Sequence, residues 1–149
     1  MSKVHAYLNF NGNCEEAFNF YSKAFQKPLF GIYRFGDMPT DPNMPPMNEE
    51  DQKKIMHASI KINDSSMIMG SDCLESFGQK ATTGTSTCIM IDTETAQEAK
   101  DIYNALTEGT SNIEMPLGEQ FWAELYASFV DKFGIPWMVH FEGNKAQNF

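Results

Sequence analysis

The residues best suited to chemistry in this chain are its three histidines, which all lie in strand-like segments. Imidazole is the commonest metal ligand in proteins and an acid or base near neutral pH. His5, His57 and His140 follow the two-residue period of a strand and fall on the more polar of its two faces. This placement suits metal binding, proton transfer or an ordinary hydrogen-bonded role.

The two faces of these segments differ in character. The first segment alternates Val4, Ala6, Leu8 and Phe10 with His5, Tyr7 and Asn9. A later one alternates Met56, Ala58, Ile60 and Ile62 with His57, Ser59 and Lys61, and the last alternates Trp137, Val139 and Phe141 with Met138, His140 and Glu142. We expect the apolar faces to pack on helices, so that the polar and aromatic faces line a pocket or an exposed surface.

Two helices of similar pattern follow strand-like segments. The first is predicted to begin at Asn13, with Glu16 completing a capping box, and to bury Ala17, Phe20, Tyr21, Ala24 and Phe25. The second is predicted to be capped by Thr95 with Glu98 and to bury Ala99, Ile102, Tyr103 and Leu106. Glu98-Ala99 lies 82 residues after Glu16-Ala17, and this offset indicates a duplicated unit.

Strand-like runs complete each half. The runs span 4–10, 29–35, 55–62 and 66–71 in the first half, with a hairpin turn at Asn63-Asp64, and 85–92, 112–117, 121–130 and 137–141 in the second. Each half therefore reads β-α-β-β-β, with a first module at about 1–80 and a second at about 81–149. The proline-rich segment Gly36 to Gln52 is expected to be an irregular loop, of the length that often forms a lid or binding segment.

Composition narrows the function classes. The chain has 149 residues, 42% of them hydrophobic, and a net charge of −9 with Arg34 as its only arginine, which disfavours nucleic-acid binding. No window resembles a membrane span or the apolar core of a secretory signal, so we expect a cytoplasmic protein that does not bind membranes. Cys14, Cys73 and Cys88 form no C-x-x-C pair, which favours reduced thiols over a disulfide framework. No G-x-G-x-x-G, P-loop or G-x-S-x-G motif occurs.

The whole chain resembles a known family, the PhnB-like proteins of the vicinal oxygen chelate superfamily. This superfamily includes glyoxalase I, bleomycin and fosfomycin resistance proteins and extradiol dioxygenases. The resemblance lies in Tyr7-Leu8-Asn9-Phe10, Gly12-Asn13-Cys14-Glu15-Glu16-Ala17 with Phe20-Tyr21, His57-Ala58, Met69-Gly70-Ser71-Asp72, and Asp131-Lys132-Phe133-Gly134 with Trp137. It implies an α+β fold in which two tandem βαβββ modules form a curved mixed sheet around a cavity, with the helices on the outer face. It also implies a homodimer.

The superfamily's metalloenzymes hold a divalent ion with side chains from four strands. His5 stands where the resemblance places the first-strand histidine ligand. The other three positions align with Ser59, Ser86 and Met138, which are neither histidine nor carboxylate. The resemblance thus implies loss of the usual site.

Three functions stay open. The first is the binding of an unidentified small molecule without a cofactor, in a cavity lined by His5, Tyr7, Asn9, His57, Ser59, Tyr126, Met138 and His140. The second is a divalent-metal-dependent lyase, isomerase or dioxygenase, whose metal would need His5 with partners from His57, His140, Glu124 or Glu142. The third is a metal-free enzyme with a histidine such as His5 or His57 as base and Tyr7 or Tyr126 as oxyanion donor. The methyltransferase label carried by some PhnB-like sequences finds no methyl-donor motif here.

Overall fold

A computed structural model describes residues 1–148 of the chain, and the side chains of residues 1–145. The chain divides into two units, Met1–Thr82 and Thr83–Phe149. The first contains β1 (Ala6–Phe10), α1 (Cys14–Phe25), β2 (Leu29–Arg34), α2 (Glu49–Lys53), β3 (Ile55–Lys61) and β4 (Met67–Asp72). The second contains β5 (Ile89–Asp92), α3 (Ala96–Leu106), β6 (Asn112–Gly118), β7 (Leu125–Val130) and β8 (Pro136–Phe141). None of the helices in this described part has the length and apolar character of a membrane span.

Each unit holds one four-stranded mixed sheet with the same topology. The order is β1-β4-β3-β2 in the first and β5-β8-β7-β6 in the second. The outer pairs β1–β4 and β5–β8 are parallel, and all other neighbours are antiparallel. The prediction of an α+β fold with two repeated modules is confirmed.

The first turn of α1 is held in a way that the sequence did not indicate. Asn13 is the residue before the helix, but its side chain makes no capping bond, so the predicted capping box is wrong. Instead, the Asp72 carboxylate at the end of β4 accepts hydrogen bonds from the backbone N–H groups of Gly12 and Cys14, at 2.9 and 3.0 Å. Its other oxygen accepts from Ile55 N–H at 2.9 Å. A side chain 58 residues away therefore replaces the local cap.

The face of α1 that meets the sheet is rotated slightly from the predicted one. Ala17, Tyr21, Ala24 and Phe25 are buried as predicted, but Phe18 is fully buried and Phe20 only half-buried. Phe18 lies against Gly70 of β4, where a β-carbon would come within 2.7 Å of its ring. The missing side chain at this glycine makes room for the phenylalanine.

The second helix follows its prediction closely. Thr95 caps α3 by accepting from Glu98 N–H at 3.0 Å, and Ala99, Ile102 and Leu106 are buried. Tyr103 is half-buried, with its ring edge-to-face on Phe129 at 5.7 Å between centroids.

Several strand and loop boundaries differ from the predicted ones, and β1 begins at Ala6 rather than at 4, so that His5 lies before the strand. β5 begins at Ile89 rather than at 85, and β7 begins at Leu125 rather than at 121. The proline-rich segment is not wholly irregular, because its end forms the short helix α2, where the Asn48 side chain accepts from Asp51 N–H at 2.7 Å. The base of this segment is closed by Arg34, whose guanidinium contacts Glu15 at 2.6 Å and the Lys53 carbonyl at 2.8 Å.

Candidate functional site

The helix-free face of the first sheet gathers several of the predicted site residues. Gly70 faces α1, so its neighbours in β4 face the other way. The strand register places side chains of β1 and β3 in one row with these neighbours. This row contains Tyr7, Asn9, His57, Ser59, Met69 and Ser71. The rings of Tyr7 and His57 lie 5.9 Å apart, and Tyr7 is 47% exposed whereas Ser59 is buried. The face thus combines aromatic and hydroxyl groups within one unit.

His5 lies just before β1, and one of its nitrogens is already engaged. Its Nδ1 accepts a hydrogen bond from Met67 N–H at 3.0 Å. A neutral imidazole that accepts at Nδ1 carries its proton on Nε2, so neither nitrogen offers a lone pair to a metal. This hydrogen bond opposes the metal-ligand role considered for His5.

The second sheet has a corresponding helix-free face. Phe129 packs on α3, so Tyr126 and Ser128 point to the opposite side, where the register pairs them with His140 and Met138 of β8. The Cys88 thiol reaches the same side, with its Sγ 3.4 Å from Met138 Sδ. Three predicted site residues, Tyr126, Met138 and His140, are therefore adjacent within this unit.

Two buried polar groups mark this second face. The Ser128 hydroxyl is buried without a hydrogen-bond partner among the described residues, a state that costs about 1–3 kcal/mol. The His140 ring is buried, and its Nδ1 lies 2.9 Å from Asp92 Oδ1, whose side chain is 66% exposed. Burial raises the pKa of the Tyr126 phenol, and the nearby Cys88 and Glu114 raise it further. The phenol therefore stays protonated and able to donate at neutral pH.

The Glu124 carboxylate is engaged by the turn that follows β8 and not by the candidate site. It lies one residue before β7 instead of within the strand, and its Oε1 accepts from Asn144 N–H at 3.2 Å. A β-carbon at Gly143 would lie 2.6 Å from the same oxygen, so the carboxylate sits against this turn.

The residues do not fit the divalent-metal site of the metalloenzymes that the sequence resembles. Ser59 offers a buried hydroxyl and Met138 a thioether, neither of which is a usual ligand of a hard divalent ion. Across residues 1–148, no three His, Cys, Asp or Glu side chains are grouped closely enough to hold a metal ion.

Sequence reasoning missed Cys88, Asp92 and Ser128. Cys88 immediately precedes β5 and Asp92 is its last residue, so the two-residue period puts them on one face, and Ser128 lies two positions after Tyr126 on β7. Strand alternation applied to these runs would have found all three.

A separate cavity of about 260 Å³ lies within the proline-rich segment of the first unit. Its lining includes Phe35, Met38, Met44, Met47 and Gln52. Methionines are three of its eleven lining residues, and three others are prolines.

Comparisons with known proteins identify the family. The profile of the family described as 3-demethylubiquinone-9 3-methyltransferase matches residues 2–140. Protein YjdN of Escherichia coli (strain K12) is 32% identical over 139 residues, which cover 90% of this chain and 91% of YjdN. The crystal structure of protein PA1353 from Pseudomonas aeruginosa is 34% identical, with a TM-score of 0.80 over 95% of this chain and 98% of that one.

Two further structures relate the fold to named groups. A putative 3-demethylubiquinone-9 3-methyltransferase, PhnB protein, from Bacillus cereus is 26% identical, with a TM-score of 0.68 over 94% of this chain and 99% of that one. A glyoxylase/bleomycin resistance protein/dioxygenase domain from Frankia sp. EAN1pec is 13% identical, with a TM-score of 0.65 over 100% of this chain and 99% of that one. The second likeness concerns the fold alone, which is glyoxalase-like.

Proposed function

The chain belongs to the 3-demethylubiquinone-9 3-methyltransferase (PhnB-like) family, and from this membership we propose that it binds a small molecule on the helix-free face of its second sheet. The observation that carries the proposal is the buried Ser128 hydroxyl, which has no partner among the described residues. Buried polar groups are almost always hydrogen-bonded, and an orphan in a site is explained when a ligand supplies the bond. The ligand therefore carries an oxygen or nitrogen that meets this hydroxyl.

The neighbours of Ser128 define the rest of the ligand. Met138 offers an adaptable apolar contact, and the rings of Trp122 and Tyr126 pack edge-to-face at 5.3 Å. The protonated Tyr126 phenol supplies a second donor, and the His140–Asp92 pair lies next to it in the register. These groups favour a flat, uncharged molecule with an apolar body and a polar oxygen.

The first sheet offers a comparable face, which is the alternative position for the ligand. Tyr7, Asn9, His57 and Ser59 share one side of that sheet, and the Tyr7 ring is about half exposed, as expected of a binding surface. We place the ligand on the second face because only that face carries a buried hydroxyl without a partner among residues 1–145.

The setting of this activity is part of the proposal. We propose that the protein works in the cytoplasm as a homodimer, without a divalent metal. Its cysteines Cys14, Cys73 and Cys88 are free thiols, which supports a reducing compartment. The methyltransferase named in the family description is not adopted, because the sequence contains no G-x-G motif for a methyl donor.

Phenol and fluorobenzene form a matched probe pair, since they have similar size and differ in the hydroxyl group. We expect phenol to shift the amide resonances of β7 and β8 at lower concentration than fluorobenzene. Ser128→Ala should abolish this preference and leave the free protein equally stable or slightly more stable, because it removes an unpaired hydroxyl. Ser59→Ala is the matched control, a buried serine of the first sheet that should not alter the preference.

Two outcomes contradict the proposal. One is an unchanged phenol preference in Ser128→Ala, which would assign binding to another site. The other is one tightly bound divalent ion per chain that is lost in His5→Ala, measured by mass spectrometry on untagged protein purified without chelators. That second result would establish the metal-dependent alternative.

A further inference from the structure

Sulfur side chains cluster at the β5 edge of the second sheet. Cys88 Sγ and Met138 Sδ lie 3.4 Å apart, and Met90 of β5 is the register partner of Met138. Met90 is 45% exposed, so its flexible side chain is free to turn toward the pair. We propose that Cys88 and Met138, with Met90 as a third ligand, bind a soft monovalent cation, Cu(I).

The donor set selects the kind of ion. Thiolate and thioether sulfurs favour Cu(I), whereas zinc sites use four Cys, His or carboxylate ligands. No group of three such side chains occurs among the described residues, so the cluster suits zinc poorly. The thioethers of Met138 and Met90 supply the second and third ligands that a single cysteine cannot provide.

The distance between the two sulfurs is compatible with one shared ion. Metal–thiolate bonds are about 2.3 Å long, which places two ligands of a trigonal ion about 4 Å apart. The observed 3.4 Å must therefore lengthen by roughly half an ångström. Rotation of the unbranched Met138 side chain provides this movement without a shift of the backbone.

The buried Ser128 hydroxyl, which also carries the proposed small-molecule site, is a second observation beside the sulfur pair. Ser128 is the register partner of Met138 on β7, and its hydroxyl is buried with no partner among the described residues. Cu(I) held by the three sulfurs can accept a fourth ligand and become four-coordinate, and the Met138 side of the ion is the side that Ser128 faces. A water or small thiol bound there would supply the hydrogen bond that Ser128 lacks.

Binding also satisfies the charge balance. The Cys88 thiol loses one proton to solvent and forms a Cu–S bond, so that Cu(I) and the thiolate together are neutral. No electron is transferred in this step. A neutral centre suits a face where Tyr126 and Ser128 are largely buried. The proposal does not rest on small-molecule binding, because its essential ligand is Cys88.

Competition with a chromophoric Cu(I) chelator in anaerobic solution tests the proposal. We expect the wild-type protein to withdraw one equivalent of Cu(I) per chain. Cys88→Ser and Met138→Leu should each weaken the apparent affinity by more than about tenfold, since even groups that only orient metal ligands are worth that much. Cys73→Ser and Met69→Leu are matched controls from the first sheet and should stay within twofold of wild type.

Circular dichroism of each variant establishes that it is folded. A second titration uses Ag(I) in place of Cu(I), because Ag(I) is not readily oxidised. Unchanged affinity in Cys88→Ser, equal loss in Cys73→Ser, or no competition by the wild-type protein would overturn the proposal. Loss of Cu(I) binding in Cys88→Ser, with an intact phenol preference in the same variant, would support the ion site separately from the small-molecule site.

Discussion

The indole Nε1–H of Trp137 donates a hydrogen bond to Asp131 Oδ2 at 2.8 Å, with both side chains buried. The other oxygen of Asp131 accepts from the backbone N–H groups of Phe133 and Ile135, at 2.8 and 3.0 Å. Gly134 completes this turn with a φ of +88°, which favours glycine. The residues of this most recognisable sequence motif thus hold the β7–β8 turn together.

Asp131→Ala should strongly destabilise the protein. The change leaves the Trp137 indole and two backbone N–H groups without their acceptor, and we expect the free energy of unfolding to fall by about 3 kcal/mol. Urea denaturation followed by tryptophan fluorescence measures this. Asp101→Ala, at an exposed position of α3, should cost less than about 0.5 kcal/mol. A loss below about 1 kcal/mol for Asp131→Ala would contradict the structural role given to this carboxylate.

Gly70→Ala should disturb the packing of α1 on the first sheet. Its β-carbon would lie 2.7 Å from Phe18 Cε1 and 2.8 Å from the Leu8 carbonyl oxygen, and the latter is backbone. We expect a loss of about 1–3 kcal/mol in thermal or urea unfolding. Gly84→Ala is the control, since a β-carbon added at that glycine would meet no other atom within 4 Å. Equal stability of the two variants would show that α1 does not press on β4 as described.

The three cysteines should differ in reactivity toward an aromatic disulfide reagent. Burial raises the pKa of the Cys14 thiol, and the nearby Asp72 and Glu15 raise it further, so this residue should react only in denaturant. Cys88 is exposed and should react first, followed by the half-buried Cys73. Time-resolved absorbance with Cys88→Ser as control measures the order. Rapid labelling of Cys14 in the native protein would be inconsistent with its burial.

Stability should depend on pH through Asp51. Hydrogen bonds from Ser76 and Lys54, at 2.6 and 3.0 Å, lower the pKa of this carboxyl below its usual value. A lowered folded-state pKa contributes stability above the unfolded value of about 3.9, and this contribution is lost as pH falls through the folded-state pKa. We therefore expect the stability gap between wild type and Asp51→Asn to be constant near neutrality and to shrink below about pH 4. Urea unfolding over this range measures the gap, and a gap that widens in acid would refute the assignment.

Local patterns predicted the elements better than their ends. The apolar stripes of α1 and α3 and the Thr95 cap follow from neighbouring residues, and the structure has them. The start of α1 depends instead on Asp72, which is distant in sequence, so Asn13 looked like a cap that it does not form. Phe18 rather than Phe20 is buried because Gly70 leaves room for its ring. Gly70 belongs to another element, so the pattern of the helix sequence could not indicate this.

In the candidate site, too, the sequence predicted the local features and missed the contacts between residues distant in sequence. Strand alternation placed Tyr126, Met138 and His140 on one face because that property is local. It could not show that Met67 N–H would occupy His5 Nδ1, because this contact joins residues 62 positions apart. The missing partner of Ser128 is likewise a property of the assembled sheet, since it depends on every group that surrounds the hydroxyl.

The parallel pairing of β1 with β4 has a consequence for synthesis on the ribosome. β1 is made first, but its hydrogen-bonding partner and the Asp72 acceptor for the first turn of α1 are made last within the unit. A nascent chain that ends before residue 72 therefore leaves an unpaired strand and an uncapped helix, which are open to wrong pairing. Closing this long loop is slow compared with forming the β3–β4 hairpin. We expect the hairpin to form before β1 pairs with it, and β1, although it leaves the exit tunnel first, to join only when β4 has also emerged.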